Sequence, residues 1–186
     1  IMPKTSSRAI TSPAGTADTM ECLAKVELSK KKIEKVIQKF GVCLVHGGSM
    51  KLAPADDKII EIERPLSIDA EGQLLASVMA KKHSVGAKVV LIDIPIGPST
   101  KSKNRSEANK LKKKFVQLGK ALGMKVKVIL TDGSEPIGNG VGPLLEARDV
   151  LAILQHTDAA PKDLREKSLM MAGILLELSG KVKKGK

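Results

Sequence analysis

Residues 88–131 read KVVLIDIPIGPSTKSKNRSEANKLKKKFVQLGKALGMKVKVILT. Residues 88–94 and 125–131 are mostly apolar segments of strand length, and each follows a glycine that ends the preceding helix. Between them, apolar side chains recur at helical spacing and predict a helix over residues 106–122: Leu111, Phe115, Leu118 and Leu122. Two apolar strands joined by a helix indicate parallel strands, covered by helices and linked by a right-handed crossover.

The same alternation of strands and helices extends in both directions along the chain. Further helices are predicted at residues 29–41, 67–86, from 143 onward and 161–180, and a buried strand at residues 42–45. No strand is predicted before the first helix, which carries Met20, Leu23 and Ala24. We therefore expect an α/β fold, a mostly parallel sheet with helices on both faces, together with a helical segment of a small all-α domain.

The composition indicates a globular chain. Of the 186 residues 42% are hydrophobic, and no apolar run reaches the length of a membrane span. Residues 1–4 lead into a polar run, so no secretory signal is expected. Cys22 and Cys43 lack metal-ligand spacing and are predicted to be reduced thiols, which favours a cytoplasmic protein without a metal site.

The charge allows a second class of function, a basic module that binds nucleic acid. The net charge is +12, and the lysines concentrate at residues 25–39, 101–114 and 181–186. Such a balance favours binding of a polyanion. However, aromatic residues make up only 1% of the chain, and proteins that bind single strands usually stack bases on aromatic rings.

Residues 6–18 are the first segment that could carry chemistry. Small hydroxyl residues surround Pro13 and Gly15 just before a helix. Backbone N–H groups and hydroxyls at a helix N-terminus suit a phosphate or a sugar hydroxyl, although a capped and solvated turn has the same composition.

A polar helix face is the second candidate. Its residues are spaced by four, and they are Asp69, Gln73, Ser77 and Lys81. With Arg64 nearby, this face could hydrogen-bond a heterocyclic base, and the alternative is an exposed helix face.

Two glycine-containing loops follow predicted strands. Residues 97–101 come directly after a strand, where open parallel sheets bind ligands, and Lys101 suits an anion, although an ordinary surface loop fits equally well. Residues 138–142 lack a dinucleotide-binding pattern and are interpreted as a tight turn before a helix. The histidines have no metal-ligand spacing: His46, His83 and His156.

Four motifs in the same order resemble the thymidine phosphorylase family. They are residues 11–21 (TSPAGTADTME), 52–58 (LAPADDK), 76–82 (ASVMAKK) and 138–146 (GNGVGPLLE). The long stretches are most similar to the branch that contains archaeal AMP phosphorylase and its bacterial relatives. The resemblance implies a pentosyl transfer without a cofactor, in which inorganic phosphate is the co-substrate, attacks C1′ and releases a free base.

The resemblance also implies roles for individual residues. The phosphate and sugar would be bound by Ser7, Arg8, Ala9, Ile10, Thr11, Ser12 and Thr16. Asp69 would donate a proton to the leaving base, and Lys101 would contact a nucleotide, as in the AMP branch. The base would be held by Arg64, Ser77 and Lys81, with Ser77 also counted among the substrate contacts.

The family's architecture implies a large α/β domain, a small helical domain and a site between them. Residues 1–54 and 88–186 would belong to the α/β domain and residues 55–87 to the helical one. The parent enzyme is expected to extend beyond both ends and to form a homodimer. Residues 60–63 lack the aromatic residue usual before the base-binding arginine, and Pro65 replaces an aspartate. The substrate therefore stays open between thymidine or uridine and a nucleoside monophosphate such as AMP or CMP.

Overall fold

The structure is a computed structural model that describes residues 2–9, 14–48, 54–66 and 70–183, without the side chains of Pro3, Asp57 and Arg64. In chain order its elements are β1 (Met2–Ser6), α1 (Thr16–Glu21), α2 (Lys30–Phe40), β2 (Val42–His46), α3 (Pro54–Leu66), α4 (Glu71–Ser84), β3 (Val89–Ile96), α5 (Arg105–Ala121), β4 (Lys125–Asp132), α6 (Pro143–Leu154) and α7 (Lys162–Leu178). No helix among the described residues is both long enough and apolar enough to cross a membrane.

The chain divides into two compact units. Unit 1 consists of Ile1–Val85 and Asn139–Ala159, and unit 2 consists of Gly86–Gly138 and Ala160–Lys186. The domain limits predicted at residues 54 and 87 come from the architecture of the family, and they remain a prediction.

Unit 1 is built on the parallel pair β1–β2. The register runs from Met2 opposite Val42 to Ser6 opposite His46. Helix α2 ends at Gly41, whose φ of 72° is the left-handed conformation that lets the chain turn directly into β2. A small core of Ile33, Cys43 and Val45 lies beneath this pair, with three partly buried apolar neighbours packed on it: Leu28, Val36 and Ile37.

Unit 2 is built on the parallel pair β3–β4. Val89 lies opposite Lys125, and Ile96 lies opposite Asp132. The crossover helix α5 is capped at its N-terminus by Asn104, whose side chain accepts a hydrogen bond from the Glu107 backbone N–H. Its buried face includes Ala108, Leu111, Phe115 and Gly119, and α7 also packs against β3.

The α/β class and the parallel strands are confirmed, with one addition and one correction. The described strands form two separate pairs, one in each unit. The absence of a strand before the first helix is wrong, because Met2–Ser6 is a strand. This segment has little apolar character, and it is a strand because its backbone pairs with β2 and is continued by hydrogen bonds such as Met2 N–H to Gly41 O at 2.9 Å.

Candidate functional site

A cavity of about 340 Å³ lies in unit 1 where the carboxyl ends of both strands meet α3 and α4. It is lined by Ser6, Ser7, Arg8, Ala9, His46, Gly47, Gly48, Ile60, Glu61 and Lys81. The carboxyl ends of parallel strands are the usual ligand-binding edge of such a sheet. The cavity therefore brings the predicted residues Ser7, Arg8, Ala9 and Lys81 together.

The polar face of α4 is held by a buried carboxylate on α3. Gln73 Nε2 donates to Asp56 Oδ1 at 2.9 Å, and Ser77 Oγ donates to Asp56 Oδ2 at 3.0 Å. Lys81 Nζ lies 3.1 Å from the same Oδ2 atom, and only 6% of the Asp56 side chain is exposed. This face is therefore partly buried and ordered, so the interpretation as an ordinary exposed helix face is wrong for Gln73, Ser77 and Lys81.

Lys81 connects the polar face of α4 to the segment that follows β1. Its ammonium donates to Ser77 Oγ at 3.0 Å and to Ser7 Oγ at 3.3 Å. The sequence predicts a phosphate-binding segment containing Ser7 and, separately, a base-binding face containing Ser77 and Lys81. The hydrogen bonds of Lys81 connect the two.

The guanidinium of Arg8 is held by carboxylates of its own unit. It contacts Glu21 at 2.6 Å, Asp18 at 3.0 Å and Glu27 at 3.2 Å. Hydrogen bonds to Glu21, then to Asp18 and Glu27, raise the pKa of Arg8 further above its usual range. Arg8 lies at the cavity as expected, but its charged head organises the surrounding segment.

Asp18 fixes both ends of the loop between β1 and α1. Its Oδ2 accepts from Ala9 N–H at 2.7 Å and from Gly15 N–H at 3.0 Å. Burial acts to raise the pKa of Asp18, but these hydrogen bonds and Arg8 outweigh it and lower the pKa. A Cβ on Gly15 would lie 2.6 Å from Ser7 O, so only glycine allows this close approach.

Some predicted site residues are not brought together here. Ile10, Thr11, Ser12 and Asp69, and the side chain of Arg64, lie outside what the structure describes. Thr16 is the first residue of α1 and is exposed, and Lys101 is exposed in unit 2, in the segment after β3.

Two further ammonium groups of unit 1, those of Lys4 and Lys82, interact with Lys81 at the cavity. Lys82 Nζ donates to Val78 O at 3.1 Å, and burial, followed by the charges of Lys4 and Lys81, lowers the pKa of Lys82 to about 8. Burial and then Lys81 also lower the pKa of Lys4. Because these ammonium groups disfavour one another, a bound anion would stabilise all of them.

Unit 2 contains a second polar cluster that sequence analysis missed. Lys167 Nζ lies 2.7 Å from Asp93 Oδ2 and donates to Thr131 Oγ1 at 3.1 Å, and Thr131 donates to Asp93 at 2.8 Å. A cavity of about 550 Å³ borders Thr131 and Lys167. No sequence spacing links these residues, since they are joined only by the packing of α7 on the sheet.

Residues 138–142 lead into helix α6 as predicted, and no metal site is formed in the described part of the chain. Gly142 precedes α6, and Asp149 accepts from the N–H groups of Asn139 and Gly140 at 2.7 Å. Within the described ranges, no group of three or more His, Cys, Asp or Glu side chains is placed to hold a metal ion.

Comparison with known proteins gives relatives that match nearly the whole chain. A Legionella pneumophila (strain Corby) protein named "Putative thymidine phosphorylase" is 54% identical over 185 residues, 100% of this chain and 36% of the relative. A second, "Putative thymidine phosphorylase 1" of Acidovorax sp. (strain JS42), is 53% identical over 99% of this chain and 36% of its own length. "AMP phosphorylase" of Methanococcus maripaludis (strain C5) is 55% identical over 96% of this chain and 35% of its own length.

The chain thus spans about a third of the length of the curated relatives it matches. No family model matches it.

Proposed function

We propose that the parent enzyme of this chain is a pentosyltransferase of the family of its relatives, which are named "Putative thymidine phosphorylase" and "AMP phosphorylase" and match 96–100% of the chain. The reaction is phosphorolysis: inorganic phosphate attacks C1′ of a nucleoside or nucleotide, the N-glycosidic bond breaks, and a free base and a pentose 1-phosphate form. The hydrogen bonds of Lys81 with Ser7 and Ser77 carry this proposal, because they join the predicted anion-binding segment to the predicted base-binding face.

The charges in unit 1 suit the chemistry of the proposed reaction. In the transition state the sugar becomes positive, the base becomes negative, and the phosphate supplies negative charge on the attacking side. The charge of Lys81 contributes to lowering the pKa of Lys4 and of Lys82, so three ammonium groups interact here, and their positive charge favours a phosphate near Ser7. The proposed reaction uses no cofactor.

Each predicted residue has a role in the proposed site. Ser7, Arg8 and Ala9 border the phosphate and sugar, and this segment continues into Ile10, Thr11, Ser12 and Thr16. The base is held by Arg64, Ser77 and Lys81, and Asp69 donates the proton to the leaving base. Lys101 contacts the nucleotide if the substrate carries a 5′-phosphate.

The preferred substrate is thymidine, and AMP is the second candidate. The relatives carry both names at nearly the same identity, 54% for the Legionella protein and 55% for the Methanococcus protein. A set of arginine, serine and lysine is compatible with a pyrimidine, whereas Lys101 and Asp69 favour a nucleotide. A cytoplasmic, homodimeric enzyme is part of the same proposal.

The first experiment measures base release by the full-length parent enzyme from thymidine, uridine, AMP and CMP, with and without inorganic phosphate. We expect phosphate-dependent release from thymidine or from AMP. Ser77→Ala and Lys81→Met should each lower kcat/KM by about 10–100-fold, as expected when a hydrogen bond involving a charged partner is lost.

The control is Lys31→Met, which removes an exposed ammonium on α2 and should leave kcat/KM unchanged. Release from none of the four substrates would contradict the proposed function. An Asp69→Asn enzyme with full activity and an unchanged pH–rate profile would remove Asp69 from the mechanism.

A further inference from the structure

The hydrogens in the Asp56 cluster have only one consistent arrangement. A carboxylate offers only acceptors, and an ammonium offers only donors. Ser77 Oγ lies 3.0 Å from Asp56 Oδ2 and 3.0 Å from Lys81 Nζ. The single hydroxyl hydrogen of Ser77 must therefore point to Asp56, while one lone pair of its oxygen accepts from Lys81.

The ammonium of Lys81 is likewise held by oxygens of unit 1. Among the described residues, three oxygens lie within 3.3 Å of Nζ, and they belong to Asp56, Ser77 and Ser7. Three oxygens match the three hydrogens of the ammonium. The Lys81 side chain therefore cannot rotate freely, because its ammonium is held between the carboxylate of Asp56 and the hydroxyl of Ser7.

Gln73 fixes the carboxylate itself. Its Nε2 donates to Oδ1 at 2.9 Å, while Ser77 and Lys81 take Oδ2, so both oxygens of Asp56 have partners. Asp56 lies on α3, and Gln73, Ser77 and Lys81 lie on α4. Because the side chain is almost completely buried, water does not compete for these bonds, and each is stronger than it would be at the surface.

We propose that Asp56 is a positioning residue of the base-binding face, which fixes Ser77 as a hydrogen-bond acceptor towards the base and holds Lys81 in place. This proposal rests on the proposed function. With its hydrogen committed to Asp56, Ser77 has only a lone pair left for a ligand. The face therefore takes a base that presents an N–H donor at Ser77, a ring N–H or an exocyclic amino group.

The test uses the full-length enzyme with Asp56→Asn, Ser77→Ala and the double variant, and Glu34→Gln as the control that removes an exposed carboxylate of α2. An asparagine brings an amide donor into a cluster that needs only acceptors, and it removes the charge beside Lys81. We expect the KM of the nucleoside or nucleotide to rise about tenfold or more, with the KM of phosphate changed less than about threefold.

Asp56→Asn should have a clearly smaller effect in the Ser77→Ala background, because the part of its effect that acts through Ser77 is already lost there. Equal effects in both backgrounds, or equal increases in both KM values, would show a merely structural role and overturn the proposal. If Asp56→Asn does not fold, Asp56→Glu keeps the charge but displaces the carboxylate, and the same criteria apply to it.

Crystal structures of unliganded wild type and variant test the positioning without turnover. A displacement of Ser77 Oγ or Lys81 Nζ by about 1 Å in the variant is expected, and unchanged positions together with an unchanged KM refute the idea. If the wild-type enzyme releases no base while the variant shows this displacement, the proposed function is contradicted and the positioning role stays supported.

Discussion

At the scale of single residues, three ammonium groups of unit 1 repel one another. Lys4, Lys81 and Lys82 are held close enough for their positive charges to interact, and only Lys81 has a carboxylate partner among the ion pairs described here, Asp56 at 3.1 Å. Binding sites often retain such unfavourable charge because a ligand of opposite charge relieves it. The repulsion that lowers the stability of the folded chain would thus also favour the binding of phosphate.

Replacing Lys82 with methionine should stabilise the chain at pH 7. The pKa of Lys82 is lowered to about 8, so below that pH a charged ammonium is held where burial and Lys4 disfavour it. The unfolded chain binds this proton more tightly than the folded chain does, so the wild type gains stability as pH rises from about 8 to about 10.5. Lys82→Met should therefore raise the free energy of unfolding at pH 7 by about 1–3 kcal/mol.

The measurement is urea denaturation of wild type and variant at several pH values. The stability difference between them should shrink between pH 8 and 10, and inorganic phosphate should reduce it at pH 7. Lys31→Met, at an exposed site on α2, is the control and should change stability little. A Lys82→Met chain that is less stable than wild type at pH 7 would contradict this account.

At the scale of elements, the approach of α5 to β4 depends on one glycine. A Cβ on Gly119 would overlap the Val126 side chain and lie 2.9 Å from its Cβ. Valine is branched at Cβ and has little freedom to move aside. The helix therefore tolerates a poor helix former at this position because the strand lies directly against it.

Gly119→Ala should destabilise the chain by about 1–3 kcal/mol despite the better helix propensity of alanine. Gly173→Ala in α7 is the matched control, because a Cβ there meets no atom within 4 Å. That change should stabilise the chain by about 0.5–1 kcal/mol through helix propensity alone. Thermal unfolding of both variants gives the comparison. Equal shifts of Tm with the same sign would show that packing against β4 does not require glycine at position 119.

At the scale of the whole molecule, the net charge of +12 leaves nucleic-acid binding as the competing class of function. Exposed lysines such as Lys110 and Lys113 on α5 supply part of that charge. A basic enzyme surface attracts any polyanion at low salt without selecting it, so affinity alone does not separate the two classes.

Binding of random-sequence RNA should be lost as salt rises from about 50 to about 200 mM, falling about 10³-fold or more if six or more phosphates are contacted. Ser77→Ala should not alter this binding, and RNA should not inhibit phosphorolysis at the higher salt. The measurement is fluorescence anisotropy with labelled RNA across that range. RNA affinity that persists at high salt and falls when Lys110 and Lys113 are reversed in charge would favour the nucleic-acid module.

The sequence by itself determined the α/β class and most elements, because continuous apolar runs and helical spacing record burial locally. Helix α5 was predicted at 106–122 and is Arg105–Ala121, and β2 was predicted at 42–45 and is Val42–His46. Ser77 and Lys81 were predicted on one helix face because their spacing of four residues is a local property. Strand β1 was missed, since its polar sequence becomes a strand only through pairing with β2.

Only the tertiary structure decided which distant residues meet. Asp56 and Ser77 are 21 positions apart, and Ser7 and Lys81 are 74 apart, so no periodicity connects either pair. Asp93, Thr131 and Lys167 are joined in the same way by the packing of α7 in unit 2. Local spacing reports the face of an element on which a side chain lies, whereas the partner across that face is chosen by how the elements pack.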